Sequence, residues 1–301
     1  MRWRKLGLVF EPPGDRPWLR SHASLPLAHA VGDEVRVYFA SRDERNRSHV
    51  GWVELDPADP SRLRLGPRPA LKPGPLGCFD DHGVYPGSLV ERGDELWLYY
   101  AGWNPGARGP LFYASIGLAV STDGGLTFER VSPAPLMARS RHDPCLVTSP
   151  CVLSDGGRFR MWYVSGLRWE ETPDGPRSFY HVKSAESEDG MNWRRDDTVS
   201  IELGPGERNV ARPCVRREAG VYRMWYCRND GAGYRAGYAE SADGERWTRR
   251  DAEAGIDVSP AGWDSEAIAY PWVFEHGGTR YMLYNGNGFG RDGFGLAVED
   301  D

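Results

Sequence analysis

"WDSEAIAYPWVFEHGGTRYMLYNGNG" occupies residues 263–288, and the chain has already used much of this phrase. Residues 147–166 read "VTSPCVLSDGGRFRMWYVSG", and residues 209–229 read "NVARPCVRREAGVYRMWYCRN". In each copy a proline opens a short apolar run, a charged or glycine-rich turn follows, and an aromatic run comes next. The opening prolines are Pro26, Pro86, Pro150, Pro213 and Pro271, spaced by 60, 64, 63 and 58 residues. A phrase recurring at a fixed period is the signature of repeat architecture. Five units account for the 301 residues.

The turns read "VGDE", "ERGDE", "SDGG", "REAG" and "EHGG", and the aromatic runs "VRVYFAS", "LWLYYAG", "RMWYVSG", "RMWYCRN" and "YMLYNGN". A third run follows, such as "SIGLAVS" or "YRAGYAES". Three units then close with "STDGGLTFER", "SEDGMNWRR" or "SADGERWTRR". Alternation with β-branched and aromatic residues, punctuated by Gly-rich turns, predicts strands joined in hairpins, and no window carries a helical period. Each unit thus reads as four antiparallel strands. Four-stranded units repeated radially make a β-propeller. The fold class expected is all-β, a single five-bladed β-propeller over residues 1–301. The last unit lacks its outer strand, and "MRWRKLG" at the other end resembles "NWRR". The N-terminal strand is therefore expected to complete the last blade and close the ring. The Asp of each S-x-D-G turn should bond backbone N–H groups ahead of it. Trp193 or Trp247 should pack between blades.

The totals restrict the partners. The chain is 40% hydrophobic with 12 Trp and 14 Tyr, enough for a substantial core. Its apolar runs are too short for a membrane span or a signal-peptide core. A net charge of -6 gives no basic footprint for nucleic acid. None of the five cysteines has zinc-ligand spacing, and Cys151 and Cys214 follow equivalent prolines as small core residues. That usage fits a reducing, cytoplasmic compartment. No cofactor and no metal is expected.

Loops on a rigid frame are where binding groups sit. In a propeller, the segments leading into the inner strands line one mouth of the axis: "WLRSHASLP", "GCFDDHGVYP", "SRHDPCLVTSP", "GERNVARP" and "WDSEAIAYP". They are dense in ionisable groups. Asp81 and Glu266 share one offset from their prolines, and His22, His82 and Asn209 share the next. Asp264 completes the candidate acid/base set of Asp81, Asp264 and Glu266, since carboxylates facing one another can be held in different protonation states. Candidate substrate-binding residues are His22, His82, Asp143, Arg208 and Arg212, with Trp103, Trp169, Asn285 and Asn287 after the second strands. The arginines suit an anionic group or the neutralisation of neighbouring acids. Trp103 and Trp169 suit stacking on the ring of a ligand or covering a blade edge.

Five roughly 60-residue units, S-x-D-G-x-x-W turns and acids before the inner strands resemble the five-bladed glycosidase superfamily of arabinanases, β-xylosidases, invertases, levansucrases and mannoside phosphorylases. Within it, the likeness is closer to uncharacterised stand-alone propellers found among bacterial polysaccharide-biosynthesis genes. The resemblance implies a carbohydrate at the mouth and carboxylate acid/base chemistry. It does not transfer whole. Arabinanase-like and invertase-like members carry an acid two residues before the blade proline, where this chain has Ser24, Val84, Thr148, Ala211 and Ala269. A non-catalytic glycan- or sugar-nucleotide-binding propeller is the alternative. A sialidase-like reading, suggested by "STDGGLTF", needs six blades where five are counted.

Overall fold

The computed structural model describes residues 1–155, 157–229 and 231–300. Gly156, part of the expected "SDGG" turn, lies outside the described residues, as does Asp301 at the end of the expected domain. The described chain is all-β apart from two 3-10 turns, Asp251–Glu253 and Asn287–Gly290.

The described strands form three sheets, one of four strands and two of eight. Each eight-stranded sheet consists of two antiparallel units of four joined by a single parallel pair, Ser48 with Gly83 and Tyr180 with Asn209. The four-stranded sheet contains β1 (Trp3–Phe10) together with β18 (Ala269–His276), β19 (Thr279–Asn285) and β20 (Phe294–Glu299), ordered β1-β20-β19-β18. The N-terminal strand therefore supplies the outer strand of the last unit, with Trp3 opposite Glu299. The next unit is β2 (Ser21–Val31), β3 (Glu34–Arg42), β4 (Ser48–Asp56) and β5 (Asp59–Leu65). Then come β6 (Gly83–Arg92), β7 (Glu95–Pro105), β8 (Phe112–Ser121) and β9 (Glu129–Arg130). β10 (Val147–Asp155), β11 (Arg158–Glu170), β12 (Arg177–Ser187) and β13 (Val199–Ile201) follow. The set ends with β14 (Asn209–Glu218), β15 (Val221–Asn229), β16 (Tyr234–Ser241) and β17 (Thr248–Arg249). The first strands neighbour one another in the order β2, β6, β10, β14, β18, and β18 lies back against β2.

The repeated residues are the joints between units. In each S-x-D-G turn the serine hydroxyl accepts a glycine N–H and the aspartate accepts N–H groups ahead of it: Thr127 on Asp123, Met191 and Asn192 on Asp189, Glu245 and Arg246 on Asp243. These N–H donors hold the Asp189 carboxyl well below the usual range and Asp243 down to about 2. A carbonyl of the same turn takes a hydrogen bond from the preceding unit: Tyr38 on Gly125 at 2.8 Å, Tyr99 on Gly190 at 2.9 Å, and Trp162 on Gly244 at 3.1 Å. The closing aromatics pack across the same boundary. Trp193 meets Tyr99 at 6.0 Å and Trp247 meets Trp162 at 5.9 Å, both edge-on. Trp3 shares a core cluster with Trp225, and Leu65 packs on the cluster holding Phe274 and Tyr281.

The inner strands are stitched one to the next by the residue after the proline bulge. Ser88 Oγ accepts the Val152 N–H at 3.0 Å, and the sulfurs of Cys151 and Cys214 accept the Val215 and Val273 N–H groups at 3.2 Å each. Those cysteines serve as small buried acceptors. Burial pushes their thiols up to about 12 and about 11. At the bulge itself, the residue before the proline is left-handed in four units: Leu25, Ser149, Arg212 and Tyr270, with φ of 53, 48, 56 and 54°. A pre-proline residue prefers extended backbone, so each costs about 1–3 kcal/mol of local strain, of the kind that concentrates at functional sites.

Candidate functional site

Side chains of the segments leading into the inner strands, of the ends of the second strands and of the starts of the third touch from one unit to the next: Arg42 with Tyr85 and Trp103, Phe112 with Trp169, Tyr180 with Tyr234, Tyr234 with Tyr270, and Ser24 with the Phe289 carbonyl. Most acids there are already occupied. Asp80 is fully buried and accepts from Tyr100 OH at 3.0 Å and Arg130 Nε at 2.7 Å. Asp143, also fully buried, accepts from Tyr163 OH at 3.1 Å, Ser165 Oγ at 2.7 Å and Arg195 Nη1 at 2.9 Å. Asp264 is 3% exposed and accepts from Tyr284 OH at 3.1 Å and Lys5 Nζ at 2.7 Å. In the fourth of these units the parts are rearranged: Tyr226 OH bonds Asp251, and Arg249 bridges Asp251 and Glu207. Each is an acid, a tyrosine of the second strand and a base. The base comes from the outer strand in three units (Arg130, Lys5, Arg249) and from Arg195, just ahead of β13, in the other; each ties the leading loop to its own sheet. Burial, and then the neighbouring carboxylate, push these tyrosine hydroxyls well above their ordinary value. Where the second strand has Phe39 in place of tyrosine, the leading loop "PWLRSHAS" has no acid. That correlation was readable in the sequence and identifies Asp143 and Asp264 as latches in their own units.

Two acids of the mouth are placed differently. Asp81 accepts from Asn104 Nδ2 at 2.6 Å and from the Gly77 N–H at 2.8 Å, fixing the loop ahead of β6. Glu266 is exposed, and its carboxylate has no hydrogen bond among the described residues. Its backbone is pinned instead: its N–H donates to Asn287 Oδ1 at 2.7 Å, and its carbonyl accepts from Arg235 Nη1 at 2.7 Å. Asn287 thus acts on the loop carrying Glu266. Asn285 is fully buried, donating to the Ala23 and Gly293 carbonyls and accepting the Leu25 N–H. Its side chain ties β19 to β2.

Aromatic faces make the walls. Tyr85 stacks on Trp103 at 6.1 Å and an interplanar angle of 5°, and His82 meets Trp103 edge-on at 4.5 Å. The Arg42 guanidinium lies over both Tyr85 and Trp103, at 5.3 and 4.9 Å, and bonds the Tyr85 hydroxyl. In other units, Tyr180 and Tyr234 share a hydroxyl–hydroxyl contact, and Tyr234 meets Tyr270 at 5.8 Å and Phe289 at 5.9 Å. Trp169, half-buried in β11, packs edge-on against Phe112 of β8, in the preceding unit, at 5.6 Å. His22 stands in the left-handed region (φ 63°) with Nδ1 2.8 Å from Ser21 Oγ. Burial, and then the charges of Arg42 and Arg291, push its pKa down to about 4, so the imidazole is neutral at neutral pH. Arg42, Tyr85, Tyr180, Tyr234 and Tyr270 were not among the residues expected at the site from the sequence. Tyr85 and Tyr270 had a visible signal, since each directly precedes a repeat proline.

Arg212 lies beneath this mouth and is fully buried. Its guanidinium crosses to other units, donating to the Pro86, Gly87 and Pro26 carbonyls at 3.0, 2.9 and 3.3 Å, and rests over Trp272 at 5.0 Å. Burial lowers its pKa to about 10. Expected on the sequence to meet substrate, it instead ties β14 to β2 and β6. A separate cavity of about 370 Å³ is lined by Ser88, Cys151, Cys214, Arg216 and Trp272 further along the inner strands. Among the described residues no group of three or more His, Cys, Asp or Glu side chains is arranged to hold a metal ion.

This architecture is that of glycoside-hydrolase-like propeller folds. A solved glycoside hydrolase superposes with a TM-score of 0.77 at 19% identity, covering 99% of this chain and 91% of the other. A thermostable family-43 glycoside hydrolase gives 0.71 at 16% identity, covering 93% and 89%. The Bombyx mori GH32 beta-fructofuranosidase, solved in complex with sucrose, gives 0.66 at 16% identity, covering 96% and 62%. At these identities the likeness concerns the fold. No family model matches the chain. By sequence, it belongs to the family of the Mycobacterium tuberculosis proteins "Uncharacterized protein MT1551" (strain CDC 1551 / Oshkosh) and "Uncharacterized protein Rv1502" (strain ATCC 25618 / H37Rv). It is 47% identical to each over 302 aligned positions, which cover 99% of both chains in each pair. No helix among the described residues is long and apolar enough to cross a membrane.

Proposed function

We propose that this chain is a glycan-processing protein that binds a sugar at the mouth of a closed five-bladed β-propeller spanning residues 1–301, and acts on it by carboxylate acid/base chemistry. Ring closure is supported by the pairing of β1 with β20, the contact of β18 with β2, and the Arg212 tie across three units. Sugar binding is supported by flat aromatic faces beside fixed polar groups, the combination that holds a ring with its hydroxyls. Trp103, Tyr85 and Tyr270 offer the faces, and His22, His82, Arg42 and Arg208 the polar contacts.

The acid/base pair in this reading is Asp81 and Glu266. The observation that carries it is that the Glu266 carboxylate makes no hydrogen bond among the described residues while those of Asp80, Asp143 and Asp264 are each consumed by a tyrosine and a base. Asp264 becomes a positioning residue: it holds the loop from which Glu266 projects two residues later. One carboxyl group would protonate the departing oxygen and the other activate water, a geometry that inverts the anomeric centre at a separation of about 6.5–9.5 Å. The free cysteines accord with a reducing, cytoplasmic setting. Bacterial polysaccharides are the substrates to try first.

The test is release of 4-nitrophenol from a panel of aryl glycosides, with and without phosphate as acceptor. Turnover that falls at least about a hundredfold in both Asp81→Asn and Glu266→Gln supports the reading. Turnover surviving both substitutions refutes the assignment. A second reading, a glycan-binding propeller without catalysis, is favoured by the latched acids and by the absence of an acid two residues before every blade proline. It predicts saturable sugar binding with no product.

A further inference from the structure

Arginines that are buried or half-buried in this protein have a carboxylate within 4.0 Å: Arg36 has Glu54, Arg130 Asp80, Arg195 Asp143, Arg249 Glu207 and Arg280 Glu218. The same holds for Arg16, Arg47, Arg160, Arg216, Arg223, Arg228 and Arg235. Arg42, Arg208 and Arg212 are the exceptions among the described residues, and all three belong to the mouth. Arg42 ends β3, Arg208 directly precedes β14, and Arg212 stands in the β14 bulge. Their hydrogen bonds go to uncharged oxygens, Asn46 O and Tyr85 OH for Arg42 and three carbonyls for Arg212. The Nε atoms of Arg208 and Arg212 are buried with no partner among the described residues, as are those of the carboxylate-paired Arg223, Arg228 and Arg280, so what sets Arg208 and Arg212 apart is the missing carboxylate.

A guanidinium withdrawn from water without a counter-charge is expensive. Neutralising nearby acids does not account for these three. The latched acids are matched instead by Arg130, Arg195, Arg249 and Lys5. A chain of net charge -6 thus keeps a local surplus of positive charge at the mouth, where it would concentrate anions. Arg42, placed over Tyr85 and Trp103 and bonded to Asn46 O and the Tyr85 hydroxyl, presents a planar fork whose position is already fixed, as recognition of a planar or tetrahedral oxyanion requires.

We propose that the mouth is an oxyanion receptor, in which Arg42 and Arg208, from non-adjacent units, take a carboxylate or phosphate group borne by the bound sugar and Arg212 adds its charge from below. This rests on the reading of the mouth as the ligand site and narrows the ligand class to acidic sugars or sugar phosphates.

The experiment is calorimetric and thermal-shift titration of the full chain at matched ionic strength with inorganic phosphate, glucuronate, glucose 1-phosphate and glucose, against Arg42→Gln and Arg208→Gln. At least one oxyanion binds more tightly than chloride, and each substitution weakens it by about tenfold or more, equivalent to about 1.4 kcal/mol. Response to glucuronate alone assigns a carboxylate, and response to the phosphates alone assigns a phosphate group; either supports the site. Binding to no anion, or binding that both folded variants retain, overturns it. The two variants guard against one failing to fold. Arginine-dependent anion binding without glycan turnover keeps this site while refuting the enzymatic reading. Turnover of neutral glycosides without anion binding does the reverse.

Discussion

Asp264→Asn separates a structural role from a catalytic one. The wild-type carboxylate is 3% exposed, 2.7 Å from Lys5 Nζ and 3.1 Å from Tyr284 OH. Removing one partner of a buried ion pair costs about 3–5 kcal/mol. The Lys5 side chain is 23% exposed, so water screens part of that loss, and about 2–3 kcal/mol is expected. For a chain of this size each kcal/mol shifts the midpoint by about 2 °C, so Tm should fall by roughly 4–6 °C in a scanning experiment. Glu266→Gln removes no hydrogen bond of the described structure and should stay within about 0.5 kcal/mol of wild type. A double-mutant cycle with Lys5→Met should give a coupling energy above about 1 kcal/mol. Asp264→Asn with an unchanged midpoint and lost ligand turnover would refute the latch and restore Asp264 to the chemistry.

Three further outcomes follow from the same contacts. Arg212→Met strips three carbonyls of their donor and should lower stability by about 3 kcal/mol; an unchanged midpoint would mean that the tie across units carries no weight. His22 has its pKa pushed down to about 4, below the unfolded value of 6.5, so the unfolded chain takes up the proton first. Its contribution to stability is complete above about pH 6.5 and is lost as pH falls toward 4. Melting scans between pH 7 and 4.5 should therefore show a shallower decline for His22→Gln than for wild type, and parallel curves would exclude this. Burial pushes the Cys151, Cys214 and Cys227 thiols up to about 12, about 11 and about 12. Ellman's reagent should reach no more than Cys78 and Cys145 before unfolding, and a third reactive thiol in the native state would contradict the packing described.

The periodic part of the structure was legible because one selection, a strand that must pair and pack the same way in every unit, writes the same residues each time. The proline phrase, the S-x-D-G turns and the outer-strand tryptophans all appear at the joints that their chemistry suggests, and Trp3 does stand in for the missing outer aromatic. The mouth was harder to read. An aspartate that latches a loop and one that serves a ligand are the same letter, and what distinguishes Asp264 from Glu266 is a tyrosine about twenty residues later and a lysine at the other end of the chain. Arg212 looked like a ligand-facing arginine because nothing in its neighbours reveals the left-handed backbone that turns it across the inner strands. Arg42 ends β3 as Trp103 and Asn285 stand at the ends of β7 and β19, but no other unit carries an arginine at the matching position to mark it.

The most direct test is a crystal structure of the protein with a bound acidic sugar or sugar phosphate. The account predicts the ring against the Tyr85–Trp103 wall, its oxyanion on Arg42, and its anomeric carbon between the carboxyl groups of Asp81 and Glu266. A ligand lodged in the cavity beside Cys151 and Cys214, or one that touches neither Asp81 nor Glu266, would contradict it.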